Sequence, residues 1–471
     1  MEYGIYINGW REKKELMEVK NPYNGGVVGK VGVADEEDIK EALEVAKNAF
    51  GRWRKVPAYK RSEILYRVSS IIDERKEELA KTITLEGGKP IRYSRIEVAR
   101  AVETFRFSAE EAKRIGGEYV PMDASPAGEG RKGFYFRVPA GVVVAITPFN
   151  FPLNLVAHKL GPSIAAGNTV ILKPASATPL TSALLLEIFL KAGLPPDVIT
   201  LLFGGGEKVG MPLVESEIPR VVSFTGSRDV GKKIAKKAGL KRLLLELGSN
   251  SGVILDEGIE PEKVVKRLAV GAFAHAGQIC ISVQRIVVHE SIYSEFLRAF
   301  VEEAKRIPAG DPMDENTVVG PMISERERDR VIEWVEEAKK MGAKEGIPLK
   351  VEGNVIGPVV LTEVPEEARV WKDEVFAPVV SVVPFRKFEE AIKILNNSSY
   401  GLNAGIYTPR VDHMLMAIEE VEAGGVIIND YSTFRVDHMP YGGVKESGLG
   451  REGIKYAIEE LTEIRFVSLM P

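Results

Sequence analysis

Between residues 142 and 247 the chain carries five short apolar runs separated by four stretches of helical periodicity, and this alternation limits the fold more than any other feature. The runs 142–147, 169–172, 198–203, 221–224 and 243–247 are rich in Val, Ile and Leu on both alternating faces, as strands covered on both sides require. The stretches 152–166, 179–192, 207–214 and 228–238 place apolar residues three and four apart, and Gly167, Gly193 and Gly239 stand as stop residues. Strand, helix and strand in series demand right-handed crossovers onto a parallel sheet, so an α/β, doubly wound domain is expected. Ligands of such sheets sit beyond the carboxyl ends of the strands, so the residues that follow each run are the first candidates for function.

A second α/β pattern begins near Gly252, with helices expected at 261–276, 292–306 and 326–341 and strands at 285–289, 379–383 and 426–429. Before the first sheet, a helix at 101–115 leads into a Gly/Pro-rich tip and the run Phe134-Tyr-Phe-Arg-Val, which reads as a projecting hairpin. The last strand, 464–469, is its expected partner. Peripheral strands with edges to satisfy suggest pairing across a subunit interface, hence a homo-oligomer, dimer or tetramer.

Charge excludes some classes of partner. With 63 basic and 67 acidic residues the net charge is -4, which creates no field to recruit nucleic acid or an anionic membrane. No apolar stretch of about 18 residues occurs, and the N-terminus has no basic-then-apolar leader, so a cytoplasmic location is expected. Only two glutamines, Gln278 and Gln284, stand beside many Glu, Lys and Arg, a composition that suggests a thermophilic source. A single cysteine rules out an internal disulfide and a cysteine-rich zinc cage, and no metal site is expected. Cys280 is therefore either core filler or an attacking thiolate.

The strand ends hold the remaining candidates. Asn150, in Ile146-Thr-Pro-Phe-Asn-Phe-Pro, follows the first strand, where its amide can donate to a developing oxyanion or merely form an Asx turn. Lys173-Pro-Ala-Ser176 closes the second strand; the lysine and serine suit a phosphate or a ribose hydroxyl, or are solvated surface. Phe224-Thr-Gly226-Ser227-Arg-Asp-Val230 joins a strand to a helix, so bare N–H groups and the helix dipole there suit a pyrophosphate, with a plain glycine turn as the alternative. The strict three-glycine dinucleotide fingerprint is absent. Glu246 ends the fifth strand among leucines, where desolvation raises a carboxyl toward the range of a general base, unless it is held in a buried ion pair. Cys280 lies where a helix hands over to a strand, a junction at which a thiol can reach a cleft.

Taken together, the motifs Ile7-Asn-Gly-Trp, Pro148-Phe-Asn-Phe-Pro, Lys173-Pro-Ala-Ser, Phe224-Thr-Gly-Ser, Leu245-Glu-Leu-Gly, Gly277-Gln-Ile-Cys, Glu374-Val-Phe-Ala-Pro and Pro440-Tyr-Gly-Gly-Val-Lys-Glu-Ser-Gly-Leu-Gly-Arg-Glu resemble the aldehyde dehydrogenase superfamily over nearly the whole chain, most closely its archaeal lactaldehyde and nonphosphorylating glyceraldehyde-3-phosphate groups. The resemblance implies a Rossmann-type cofactor domain (1–116, 139–247 and 441–455), an α/β catalytic domain (248–440) and a small β oligomerisation element (117–138 and 456–471). It implies oxidation of a small aldehyde to the acid, with Cys280 as nucleophile, Asn150 and the Cys280 N–H as oxyanion donors, and Glu246 as base for hydrolysis of the thioester. Cofactor residues by the same resemblance are Ile146, Thr147, Pro148, Phe149, Lys173, Ser176, Gly206, Phe224, Thr225, Gly226, Ser227, Val230, Leu247, Gly248, Glu374 and Phe376. Lys159 and Glu452 match a proton-exit pair. Ser176 stands where NAD-preferring relatives often carry glutamate, so NADP is the expected cofactor, with NAD use open. Phe151, Arg435 and His438 are the expected substrate contacts, for a short hydroxyaldehyde such as lactaldehyde or glyceraldehyde, with succinate semialdehyde or glyceraldehyde 3-phosphate as alternatives. Ser249 and Ala377 replace frequent glycines, which leaves the geometry beside Glu246 and Glu374 open.

Overall fold

The computed structural model describes residues 1–470. Its first sheet has eight strands in the spatial order Gly448–Leu449, Arg242–Glu246, Pro219–Thr225, Val142–Ile146, Thr169–Lys173, Ile199–Leu201, Ile5–Tyr6, Trp10–Arg11. The middle five run parallel, and the rim strands are antiparallel to their neighbours. These five are the runs expected from the sequence, shifted by a residue or two at their ends. In chain order they lie fifth, fourth, first, second, third, so the winding reverses between Val142–Ile146 and Pro219–Thr225. That reversal opens a crevice at the carboxyl ends of these two strands.

The second sheet has seven strands in the order Lys344–Ile347, Val359–Thr362, Val379–Phe385, Arg285–His289, Gly252–Leu255, Asn403–Tyr407, Gly425–Ile428, all parallel except the first. Each sheet has its own apolar core, one built around Val143, Ile171 and Phe189, the other around Phe273, Phe300 and Val380. A third, three-stranded sheet pairs Thr462–Leu469 with Lys132–Pro139 over eight residues and adds Tyr119–Val120. Among the described residues no helix is long and apolar enough to cross a membrane.

Three elements differ from the sequence reading. The expected helix 207–214 is a π-helical turn, Gly206–Gly210, followed by Met211–Glu215. Pro212 has no N–H to offer the Lys208 carbonyl, and the wider turn closes instead through Met211 N–H to Gly206 O. The expected helix 261–276 stops at Phe273, because His275 and Ala276 adopt left-handed backbone angles (φ 52° and 54°). Such angles cost about 1 kcal/mol or more for residues with a Cβ. This kink delivers residues 278–280 into the crevice. The helix read at 101–115 spans Ile91–Ala112; its buried Ser94 and Glu97 interrupt the apolar periodicity that would have shown its first turns.

Candidate active site

The crevice is a cleft of about 1180 Å³. One wall is Ile146, Thr147, Pro148 and Phe149, leaving the first parallel strand, and the facing wall is Phe224, Thr225, Gly226, Ser227 and Val230. Lys173, Gly206, Leu247 and Gly248 complete this half, while Glu374 and Phe376 close the other end, with Asn150 and Cys280 also on the lining. The cleft fits a dinucleotide in chemistry as well as size. The helix Arg228–Lys237 opens onto it without a side-chain cap, leaving N–H donors for a pyrophosphate. The hydroxyls of Thr147 and Thr225 are buried without any partner. Burial pushes the Lys173 ammonium down to about 8, and its hydrogen bond goes to the Pro174 carbonyl at 3.0 Å. Ser176 lies just off the lining, between Ala175 and Ala177, and its hydroxyl donates to Gly204 O at 3.1 Å.

Asn150 and Cys280 are tied through the residue two before the thiol, since Asn150 Nδ2 donates to Gln278 O at 2.9 Å. The Asn150 side chain is 3 % exposed, its Oδ1 has no partner, and its Nδ2, bonded only to Gln278 O, keeps a second N–H to give. Cys280 is partly open to the cleft, and its Sγ meets the Tyr441 hydroxyl at 3.0 Å. Burial pushes the thiol up to about 11, and the neighbouring Glu374 and Glu246 act in the same direction; the Tyr441 hydrogen bond and Arg435 pull it down.

Glu246 is buried and off the cleft lining, which its neighbour Leu247 joins, and its Oε2 is unpartnered. Burial raises its pKa well above the usual carboxyl range, and the Glu452 charge adds to the effect against Arg435, Lys159 and Arg451. Glycine at 442 leaves room beside the carboxyl: a Cβ there would lie 2.8 Å from Gly450 O and 3.0 Å from Glu246 Oε1, and the backbone has φ +156°. A similar close approach seats Glu374, whose Oε2 would be 2.3 Å from a Cβ on Gly248. Glu374 Oε1 accepts from Ser249 N at 2.9 Å, and burial still raises this carboxyl to about 7. The two departures from glycine are absorbed locally. Ser249 turns its hydroxyl to Ser251 at 2.8 Å, and Ala377 is packed in the core at 1 % exposure. Phe376 holds a left-handed backbone (φ 51°) and meets Phe149 edge-on, ring centroids 5.9 Å apart.

Behind these groups runs a buried chain of charges. Lys159 Nζ contacts Glu452 Oε1 at 3.2 Å, Arg435 Nη2 donates to Glu452 Oε2 at 2.9 Å, and Arg435 also lies 3.3 Å from His158 Nε2. His158 and Arg100 both bond Asp437, at 2.9 and 2.7 Å. Although burial opposes it, Lys159 and Arg435 hold the Glu452 carboxyl down to about 2. Phe151 sits below Lys89, whose Nζ is 3.6 Å from the ring centroid, and Lys89 is paired with buried Glu97. Glu97 in turn accepts from Leu153 N (2.9 Å) and Asn154 N (3.0 Å), clamping the turn that carries Asn150. Of the three expected substrate contacts, Arg435 is thus turned inward, Phe151 is covered by Lys89, and His438 is exposed and packed against Phe107 at 4.9 Å between ring centroids.

Sequence reasoning passed over Tyr441, although it stands in the quoted motif Pro440-Tyr-Gly-Gly; only its contact with the sulfur distinguishes it from a core aromatic. It also passed over the two glutamines as site residues. Gln278 accepts from Ile323 N and donates to Pro321 O, and Gln284 accepts from Val375 N and donates to Ser249 O, all at 2.8 to 3.2 Å. Each amide therefore pins a strand of backbone beside Cys280 or Glu374. No group of three or more His, Cys, Asp or Glu placed to hold a metal ion occurs among the described residues.

The sequence profile of the aldehyde dehydrogenase family matches residues 10–467. The chain is 45% identical over 469 residues to the 3-sulfolactaldehyde dehydrogenase of Priestia megaterium, covering 99% of this chain and 98% of that one. It is 42% identical over 467 residues to the lactaldehyde dehydrogenase of Methanocaldococcus jannaschii, covering 98% and 99%. The crystal structure of glyceraldehyde-3-phosphate dehydrogenase GapN from Methanocaldococcus jannaschii, complexed with NADP, superposes with a TM-score of 0.93 at 42% identity over 97% of this chain and 99% of that chain. Cleft, strand order and sequence agree: the chain belongs to the aldehyde dehydrogenase family and is an NAD(P)-dependent aldehyde oxidoreductase.

Proposed function

We propose that Cys280, Asn150 and Glu246 carry out the oxidation of a short aldehyde to its carboxylic acid, and the observation that supports this most directly is the thiol and the half-free amide on the lining of one cleft with the unpartnered carboxyl just behind it. Cys280 as thiolate forms a C–S bond to the aldehyde carbon while the carbonyl π pair moves to oxygen. Asn150 Nδ2 and the Cys280 N–H hold that oxyanion. A nicotinamide bound in the cleft supplies the acceptor for the hydrogen that leaves with its electron pair. Glu246 then takes a proton from water, which adds to the thioester; the C–S bond breaks and the thiol is restored. Glu374 and Phe376 would hold the nicotinamide end of a bound dinucleotide, and the uncapped helix at Arg228 would take its pyrophosphate. Glu452, kept ionised by Lys159 and Arg435, is poorly suited to carry a proton outward. It acts instead as a fixed negative charge that raises the proton affinity of Glu246.

For the substrate, we read a short aldehyde whose tail bears a hydroxyl or a small anion. Arg435 is turned inward from the cleft, but its buried Nε–H has no partner beside Tyr441 and the thiol, an unmet donor that favours an oxygen over a methyl group on that tail. Four basic side chains, Lys89, Arg100, Lys159 and Arg435, stand there against three paired acidic side chains, Glu97, Asp437 and Glu452, which favours an anionic or hydroxylated tail over an apolar one. NADP is the preferred cofactor, because no carboxylate at 176 repels a 2′-phosphate. A spectrophotometric screen of lactaldehyde, glyceraldehyde, 3-sulfolactaldehyde, succinate semialdehyde, glyceraldehyde 3-phosphate and propanal with each nicotinamide tests both points. Higher kcat/KM for the hydroxylated or anionic aldehydes than for propanal, and for NADP than for NAD, is expected; the reverse order rejects the assignment.

The same reading keeps the cofactor domain at 1–116, 139–247 and 441–455, the catalytic domain at 248–440 and the β element at 117–138 and 456–471. Thr462–Leu469 ends its sheet with an unpaired edge and exposes Ile464, Phe466 and Leu469, which supports a homo-oligomer formed through this element. Phe466→Glu is expected to shift the species seen by light scattering toward monomer, and an unchanged mass would remove this role.

A further inference from the structure

The sulfur of Cys280 makes one side-chain hydrogen bond, to the hydroxyl of Tyr441 at 3.0 Å. The charged and titratable groups facing the thiol are Tyr441, Arg435, Glu374 and Glu246, and both carboxyls oppose its ionisation. Neither histidine nor lysine is among them, so no base stands beside the thiol and Arg435 is the one cation that faces it. Tyr441 is built to be rigid. It is 3 % exposed, and its backbone exchanges two hydrogen bonds with Glu452, Tyr441 N to Glu452 O at 3.0 Å and Glu452 N to Tyr441 O at 2.6 Å. The Arg435 guanidinium lies over its ring, 3.7 Å from the centroid, and is itself fixed by Glu452. A cation on the face of a phenol draws density from the ring and makes the O–H a stronger donor. The groups facing Tyr441 are Cys280, Arg435 and Glu246, and burial keeps its own proton firmly in place. It is a neutral donor, never a competing anion.

We propose that the Tyr441 hydroxyl is a catalytic residue that donates a hydrogen bond to the Cys280 thiolate, with Arg435 as the positioning residue that holds and polarises the phenol. This rests on the reading of Cys280 as the nucleophile. When the thiol ionises, its proton passes to water in the cleft and Tyr441 keeps its own. As the C–S bond forms, the sulfur lone pair becomes the bonding pair, the carbonyl π pair goes to oxygen, and the hydrogen bond to sulfur weakens. When the C–S bond breaks in hydrolysis, the pair returns to sulfur and Tyr441 receives the departing thiolate.

The chain has a single cysteine, so alkylation by iodoacetamide reports on this sulfur alone. The pH dependence of the alkylation rate, followed by mass spectrometry, is compared for the parent and Tyr441→Phe, with thermal melting as the check on folding. A hydrogen bond to a charged group is worth about one pH unit or slightly more. The midpoint is expected to rise by about one unit. The rate at pH 7 should fall only about threefold, because the scarcer thiolate is also the more nucleophilic. The burst of reduced nicotinamide should likewise be slower at pH 7 and recover at alkaline pH, which a loss of packing would not produce. Arg435→Lys, which keeps a cation for Glu452 but loses the flat contact with the ring, should move the midpoint upward by less, and it decides the matter if Tyr441→Phe does not fold. A midpoint unmoved, or lowered, in the folded variant would falsify the proposal. If Cys280→Ala were still active, the underlying reading would fail instead, and the two failures are thereby distinct.

Discussion

Cys280→Ala is expected to lower kcat for aldehyde oxidation by roughly 10⁴-fold or more, the scale of removing the attacking atom from a covalent catalyst, while NADP affinity changes less than about twofold. The size of the effect follows from the chemistry. Without sulfur no covalent adduct forms, and no second thiol exists to take over. Cofactor affinity is spared because the walls of the cleft come from strand ends and a helix terminus on the other sheet, which the thiol does not support. Stopped-flow absorbance for turnover and fluorescence titration for NADP separate the two quantities. Activity within tenfold of the parent would exclude Cys280 as nucleophile; loss of NADP binding would mean the substitution had disturbed the cleft.

Glu246→Gln is expected to separate the two halves of the reaction. The first equivalent of reduced nicotinamide should appear at close to the parent rate, and steady-state turnover should fall by roughly 10²- to 10⁴-fold, the usual range for a lost general base. Because burial and Glu452 raise the Glu246 pKa, the carboxylate is the minor form below that raised value and grows as pH increases. Parent kcat should therefore climb with pH where hydrolysis of the thioester limits the rate, and this climb should disappear in the glutamine variant. Equal losses in burst and turnover would show that Glu246 acts before the thioester stage, or not at all.

Much of this was legible in the chain because of how parallel sheets are buried. The five runs between 142 and 247 need apolar residues on both faces, so each was visible without neighbours, and Asn150, Lys173, Thr225 and Glu246 were conspicuous as polar residues at or just after the ends of four of them. Elements stabilised by distant partners were not legible. The first turns of Ile91–Ala112 bury Ser94 and Glu97 in polar contacts, which hides their periodicity. Arg435 reads as a substrate contact in the sequence because its partners Glu452 and His158 are separated from it by 17 and 277 residues of chain. Tyr441 could be quoted within a motif, but its contact with a sulfur 161 residues away exists only in the folded chain.

The scarcity of glutamine gains a meaning from where the two survivors lie. Both Gln278 and Gln284 use one planar group to give to a carbonyl and accept from an amide at once. Glutamate, plentiful elsewhere, lacks the donating half when ionised. Hydrolytic ageing of either amide would set a carboxylate against a main-chain oxygen next to Cys280 or Glu374. Prolonged heating is thus expected to silence the enzyme at these two loci, as mass gains of about one dalton in their peptides, while the surrounding sheets stay intact.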